Sequence, residues 1–437
     1  MSVKMTLRSL LSEGVHVVSS QEDYVARVWD MCISEDEFLF LNKMICAIGV
    51  TDQFIDVIKT FTVPAGETPP GFKRGLRLQA DGLLQVDLIR DIAYDKNGVK
   101  RPTNLLFSAD SANPYEVRPI SKMLANLTCN PGIVYDLFIN NPKANVGNVY
   151  KNRDEVMEEI GKILGPGCDI SVELNNPFNP NINELLEEAA KFREMFSNYR
   201  VVIKVPHTGP VNAQNVGELL EGNKMLSRHY GDVVTEDALR GHNLALLMQE
   251  NGYRVNFTLM FEPYQTMLAL QAKPYFINSF IRHRGYQSGM IKGYLDCYYT
   301  DNNIKHIEDL RAFFIANDYL LESDANMDLL KVIRRAQELI EYRLVEEDEG
   351  SDYLDGIRHN LRCMRQCNLP DSRLIICSME GDYQYAQIDK MLLEPEFEDM
   401  VGKVVLTAEP SYLAKFTSTN QVVSYQRRFM NAAKGMN

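Results

Sequence analysis

Lys204 stands in Val201-Val202-Ile203-Lys204-Val205-Pro206, an apolar run that holds no other charge. Burial strips an ammonium group of its hydration and lowers its pKa, which favours the free amine that attacks a ketone carbon. A lysine at a strand end can equally carry its charge out to water along its aliphatic stem. Its company favours chemistry. Asp110 and Glu173 each end an apolar run of their own. Carboxylates in a half-buried mouth can have pKa values raised toward neutrality, the range that suits proton transfer. Each also has a plainer reading: a salt bridge to the lysine, or, for Asp110 ahead of Ser111-Ala112-Asn113-Pro114, a helix cap. Thr128 with Asn130, Asn256 with Thr258, Asn278 with Ser279, Ser378 and Thr407 likewise stand where apolar runs stop. An acid, a base and a lysine converging with hydrogen-bonding side chains point to carbonyl chemistry.

Those runs are the elements that must do the positioning. From residue 104 onward, short apolar segments alternate with amphipathic stretches: 104–109, 125–128, 168–174, 200–205, 253–259, 275–280, 373–378 and 403–407. Apolar strands separated by helical patterns predict a parallel sheet covered by helices. Eight units predict an α/β fold closed as a (β/α)₈ barrel, whose catalytic groups project from the C-terminal strand ends. Residues 101–437 would form this barrel, interrupted between strands six and seven by a helical insertion over 285–372. Helices are expected there near 304–321, 325–346 and 352–367. Residues 1–100 read as an α+β cap, with helical periodicity over 21–60, a Pro/Gly-rich connection near 63–75, and a hairpin turning at Asp81-Gly82.

Bulk properties narrow the function. Across 437 residues, 59 acidic against 46 basic side chains give a formal charge of −13. An acidic surface repels a phosphate backbone, so nucleic acid is not an expected partner. No apolar run approaches the roughly 18 residues of a membrane span, and no secretory leader is evident at the N-terminus. Eight scattered cysteines read as reduced thiols and a cytoplasmic location. His359, Cys363 and Cys367 share one helix face without a fourth ligand nearby, so packing is the expected role and no metal is predicted.

Five ordered motifs resemble the transaldolase family, including the fructose-6-phosphate aldolases. Phe107-Ser108-Ala109-Asp110-Ser111-Ala112-Asn113 looks like its Asp-Thr-Ala-Asn signature, and Leu127-Thr128-Cys129-Asn130-Pro131 like its Thr-Thr-Asn-Pro motif. Ile170-Ser171-Val172-Glu173 resembles the third-strand Ser-Val-Glu, and Val202-Ile203-Lys204-Val205-Pro206-His207-Thr208 the Schiff-base strand. Asn256-Phe257-Thr258-Leu259 resembles the fifth-strand Asn-x-Thr-Leu element. The resemblance implies that Lys204 forms a Schiff base with a ketose C2 carbonyl. It implies that Glu173, with a water positioned by Thr258, shuttles protons, and that Asp110 takes the C4 hydroxyl proton as the C3–C4 bond breaks. Asn130 and Asn256 would hold the hydroxyls of a dihydroxyacetone unit. It implies no cofactor, a sugar or sugar phosphate as partner, possible self-association, and a place in carbohydrate metabolism such as the pentose phosphate pathway.

The departures concern phosphate. Where the family has Ser-Pro-Phe-Val-Gly-Arg after strand six, this chain reads Asn278-Ser279-Phe280-Ile281-Arg282-His283-Arg284. Where it has Ser-x-Arg after strand seven, this chain reads Ser378-Met379-Glu380. A carboxylate repels a dianion, so Arg282 or Arg284 would have to serve through a shifted register, beside Asn278, Ser279 and Ser378 as substrate contacts. Otherwise the substrate is not an ordinary sugar phosphate. Transaldolase is the leading expectation. Alternatives are a class I aldolase without transfer, a catalytically inactive metabolite-binding barrel, and a keto-acid lyase or dehydratase whose arginines face a carboxylate.

Overall fold

The computed structural model describes residues 5–11, 14–60, 65, 66, 68, 69, 71–95, 99–165, 167–196, 200–377, 384–415 and 417–435. Eight parallel strands close a barrel in chain order: β1 (Leu106–Asp110), β2 (Leu124–Cys129), β3 (Asp169–Glu173), β4 (Arg200–Pro206), β5 (Val255–Met260), β6 (Phe276–Phe280), β7 (Arg373–Cys377) and β8 (Val404–Ala408). All eight coincide with the apolar runs, including the short second one. Outward residues such as Leu127, Ile170, Val172, Ile203, Val205, Phe257, Ile277 and Ile376 pack under the helices in one continuous core. Each such aliphatic side chain contributes about 1.5–3 kcal/mol when fully buried.

Register organises the inward residues into layers of four taken from alternate strands. Val202, Phe276 and Val405 pack with Leu106 and Ala125 at the closed end, and Ile92 plugs them from below. Above lie Ser108, Ser171, Asn256 and Ile375, then Thr128, Lys204, Asn278 and Thr407, and at the mouth Asp110, Glu173, Thr258 and Cys377. Above the apolar packing of Val202, Phe276 and Val405, the lining is therefore mostly polar up to the mouth.

The N-terminal segment has its own core, including Leu10, Val28, Ile48, Phe54, Leu84 and Val86. Its sheet holds Ala47–Val50 between His16–Val17 and Leu83–Arg90, with Phe72–Leu78 antiparallel at one edge. The expected hairpin is present. Its turn needs Gly82, which has φ +83° and where a Cβ would lie 2.8 Å from the Met44 carbonyl. Ala47–Val50 breaks the helical reading of 21–60: four buried residues between helices Glu35–Met44 and Asp52–Thr60 form a strand. This segment meets the barrel at its closed end, where Arg90 pairs with Asp169 and Asp91 with Arg373 at 3.0 Å.

The excursion between β6 and β7 contains four helices, Arg282–Asp301, Lys305–Ala316, Leu329–Tyr342 and Asp355–Gln366. The last three match expectation. The first gives almost no apolar periodicity because its buried face includes Arg284, Gly285, Gln287 and Ser288 beside Ile291 and Leu295. Helix Asn420–Ala433 buries none of its residues, and Val423, Tyr425, Phe429 and Met430 are exposed. No helix among the described residues is long and apolar enough to cross a membrane.

Candidate active site

Lys204 is brought to the mouth by β4, and the chain around it is tightly packed. Helix Arg240–Glu250 lies so close to the end of β4 that a Cβ on Gly241 would sit 2.1 Å from the Pro206 carbonyl. Lys204 is 1% exposed. Its Nζ stands 3.2 Å from Glu173 Oε2 and donates to the Cys129 carbonyl at 3.2 Å. Glu173 is the β3 residue in direct register with it. Asp110, from the layer that also holds Glu173, accepts from the Thr128 hydroxyl at 2.6 Å. Thr128 thus orients the acid, and its own hydroxyl proton is spent on that bond.

Electrostatics correct one expectation. Burial does push Lys204 down, but Glu173 and Asp110 push harder the other way, and the net shift is upward. The resting group is an ammonium, and the free amine arises by passing a proton to a neighbour. Asp110 is pushed up by burial and by Glu173, against the opposing pull of Lys204 and Thr128. Burial lifts the Cys129 thiol to about 12 and raises Cys377 well above the ordinary thiol range, so both stay protonated.

On the β5–β8 side the polar groups are open. Both amide atoms of Asn256, both of Asn278, Thr258 Oγ1 and Thr407 Oγ1 are buried without a hydrogen-bond partner among the described residues. Buried polar atoms are ordinarily satisfied, so atoms left open in a pocket mark where a ligand or water binds. The ladder leaves regular geometry just above Thr258. Leu259 takes φ +59°, and the register with β6 shifts between Phe257 and Met260. Left-handed backbone at a non-glycine residue costs of order 1–3 kcal/mol and persists where surroundings enforce it, commonly at sites.

Three expected contacts are elsewhere. Ser279 alternates to the outer face of β6, where its hydroxyl accepts from Asn360 at 3.2 Å. Arg284 is buried and held by two carboxylates: Asp355 takes it in a two-point bond at 2.5 and 2.8 Å, and Glu262 accepts from its Nε at 2.9 Å. Glu262 also holds Arg343 at 2.7 Å, so this cluster ties the loop after β5 to the inserted helices. A guanidinium so engaged has no free edge for phosphate. Arg282 opens its helix at an exposed position. Asn130 is half-buried beside the lysine's carbonyl partner, and its Oδ1 accepts from the Ile133 amide at 2.9 Å, leaving its NH₂ for other bonds. Ser378, with Met379 and Glu380, lies outside the described residues.

Cys377 escaped the sequence reading as a site residue, though it is the fourth member of the mouth layer. Period-two alternation from Ile375 would have found it. The eight cysteines are free thiols. Among the described residues no cluster of three His, Cys, Asp or Glu could hold a metal. His359 contacts Cys363 at 3.3 Å.

The chain is a closed eightfold barrel with a carboxylate-flanked lysine at its C-terminal mouth. Residues 107–288 match the family described as transaldolase/fructose-6-phosphate aldolase, which supports membership of this chain in that family of transaldolases and aldolases. The matched stretch runs from β1 to the helix after β6. No curated protein matches the chain.

Proposed function

We propose that this protein is a transaldolase-like Schiff-base enzyme that moves or releases a three-carbon ketone unit of a ketose. The observation that carries the reading is the buried Lys204 Nζ, 3.2 Å from Glu173 Oε2, with Asp110 in the layer above it. Glu173 receives the ammonium proton, and the amine adds to the ketose C2 carbonyl. Loss of water, with Glu173 returning a proton to the departing hydroxyl, leaves a protonated imine. Asp110 then removes the proton of the C4 hydroxyl. The C3–C4 electron pair flows into the imine, which releases an aldehyde and leaves an enamine. Attack on a second aldehyde is transfer, whereas protonation and hydrolysis is plain aldol cleavage.

The occupied state of Arg284 supports an atypical far end: a substrate that carries no phosphate, or one gripped by other residues. Turnover of fructose 6-phosphate against free fructose, with and without an added aldehyde, tests both points. Efficient use of the phosphate ester would overturn the atypical end, and product formed only with the aldehyde present would favour transferase over lyase. Cytoplasmic action and self-association belong to the same proposal. The uncovered helix Asn420–Ala433 supports the latter, which light scattering on the whole chain would test.

A further inference from the structure

His283 stands in the first turn of helix Arg282–Asp301, directly after β6. Its ring lies 6.0 Å from that of Phe261, which in turn lies 5.3 Å from Phe280 at the end of β6. Strand alternation puts Phe280 on the inner face with Asn278, so His283 belongs to the rim of the mouth.

Behind it runs a chain of hydrogen bonds with one consistent direction. Arg343 can only donate, and its Nη2 stands 2.9 Å from the Tyr319 hydroxyl oxygen. That oxygen accepts, so the hydroxyl proton goes to Gln287 Oε1 at 2.5 Å. Burial holds Tyr319 above the ordinary phenol range, which keeps the proton on the oxygen. With its carbonyl used, Gln287 turns its NH₂ to His283 Nε2 at 2.9 Å. An amide NH₂ donates and cannot accept, so Nε2 offers its lone pair and the ring proton sits on Nδ1. Turning the amide over would leave the buried Tyr319 proton facing another donor, which is destabilising.

The same bond opposes an imidazolium, whose second proton would point from Nε2 at the Gln287 amide. Burial, Arg282 and Arg343 push the His283 pKa down, and Asp318 offsets them only in part. Glu262, the other carboxylate at this corner, is held by Arg284 and Arg343.

We propose that the insertion, acting through Tyr319 and Gln287, fixes His283 as an uncharged Nδ1–H donor on the rim, which selects substrates whose far end carries a hydroxyl or carbonyl oxygen in place of a phosphate. The proposal rests on the Schiff-base reading above and adds the group that reads the far end. His283 contacts the substrate, and Gln287 is a positioning residue. To counter a dianion the ring would have to take up a proton and lose its bond to Gln287.

Two measurements on the whole protein test it. Nitrogen NMR of histidine-labelled protein, with His283→Asn to assign the signal, reads the tautomer without any substrate. The wild type is expected to show the Nδ1–H form. Gln287→Glu supplies a carboxylate that still accepts from Tyr319 and also accepts from Nε2–H, so this variant is expected to show the Nε2–H form and a raised pKa. In the second measurement, dihydroxyacetone is offered with an equimolar mixture of glyceraldehyde, lactaldehyde and glyceraldehyde 3-phosphate, and the three condensation products are read by mass spectrometry. Glyceraldehyde and lactaldehyde differ only in the terminal hydroxyl. The wild type is expected to favour glyceraldehyde over both competitors. His283→Leu is expected to lower the glyceraldehyde-to-lactaldehyde product ratio about three- to tenfold, the worth of one neutral hydrogen bond. A merely structural histidine would lower all products alike and leave the ratio unmoved. An Nε2–H tautomer in the wild type, an unmoved ratio in His283→Leu, or a wild type that prefers the phosphate ester would each overturn the inference, while product formation keeps the Schiff-base reading. A folded wild type that condenses dihydroxyacetone with none of the three and forms no borohydride adduct at Lys204 would remove both.

Discussion

Removing Asp355 isolates the arginine cluster that ties the loop after β5 to the inserted helices. Arg284 has 6% side-chain exposure and meets Asp355 through two bonds, at 2.5 and 2.8 Å. Deleting one partner of a buried ion pair costs about 3–5 kcal/mol, because the survivor keeps its desolvation penalty without its counter-charge. Glu262 still accepts from Arg284 at 2.9 Å, but it is shared with Arg343. The low end of that range, about 3 kcal/mol, therefore applies to Asp355→Ala. At roughly 2 °C per kcal/mol for a large chain, the transition that unfolds the barrel and insertion should drop by about 6 °C in calorimetry. Asp355→Asn retains one acceptor and should lose about half as much. Replacing both partners with apolar residues of similar volume, Asp355→Leu with Arg284→Met, should recover most of the loss. An unchanged melting temperature for Asp355→Ala would refute the clamp, the more so if fructose 6-phosphate binding were unaltered.

Glu173→Gln is predicted to slow imine formation about 10²- to 10³-fold. Loss of the carboxylate should also move the acid limb of trapping at Lys204 to lower pH, as burial then meets less opposition; an unmoved limb would remove Glu173 as the lysine's proton partner. Asp110→Asn is predicted to retain the adduct with dihydroxyacetone while C–C cleavage of a ketose falls about 10²- to 10⁴-fold; equal loss of both would contradict the assignment. His207 is held neutral, its pKa pushed down to about 4 by burial and then by His242, with Nδ1 accepting from Gln265 at 3.0 Å. The unfolded chain thus binds more protons between about pH 6.5 and 4, so stability is full above that window and declines by on the order of 2–3 kcal/mol as pH falls through it. Denaturant titrations of His207→Gln should show a flatter decline, and an identical slope would relocate the effect.

The strands were legible because each is a short, mostly apolar run set between helical patterns, and the site because a charge or amide ends nearly every one. Lys204, Glu173 and Asp110 could be named from that pattern alone. Their protonation could not, since the upward shift of Lys204 depends on how two carboxylates sum against burial. Ser279 and Arg284 illustrate a different limit. Adjacent residues at a strand end point to opposite faces, so Asn278 reaches the barrel interior while Ser279 bonds Asn360 outside it. Arg284 is occupied by Asp355, 71 residues further along, a pairing that no local pattern carries. Helix Arg282–Asp301 stayed hidden for the same reason, because its buried face is polar and is satisfied by distant partners. The strand Ala47–Val50 was lost between two helices because four residues are too few to impose their own period.

The central claim is that Lys204 is a covalent nucleophile. Reduction with borohydride in the presence of dihydroxyacetone, followed by peptide mass spectrometry, tests it most directly. One adduct is expected, on the peptide containing Lys204, and none in folded Lys204→Met. A folded wild type without an adduct, or an adduct that survives Lys204→Met, would contradict it.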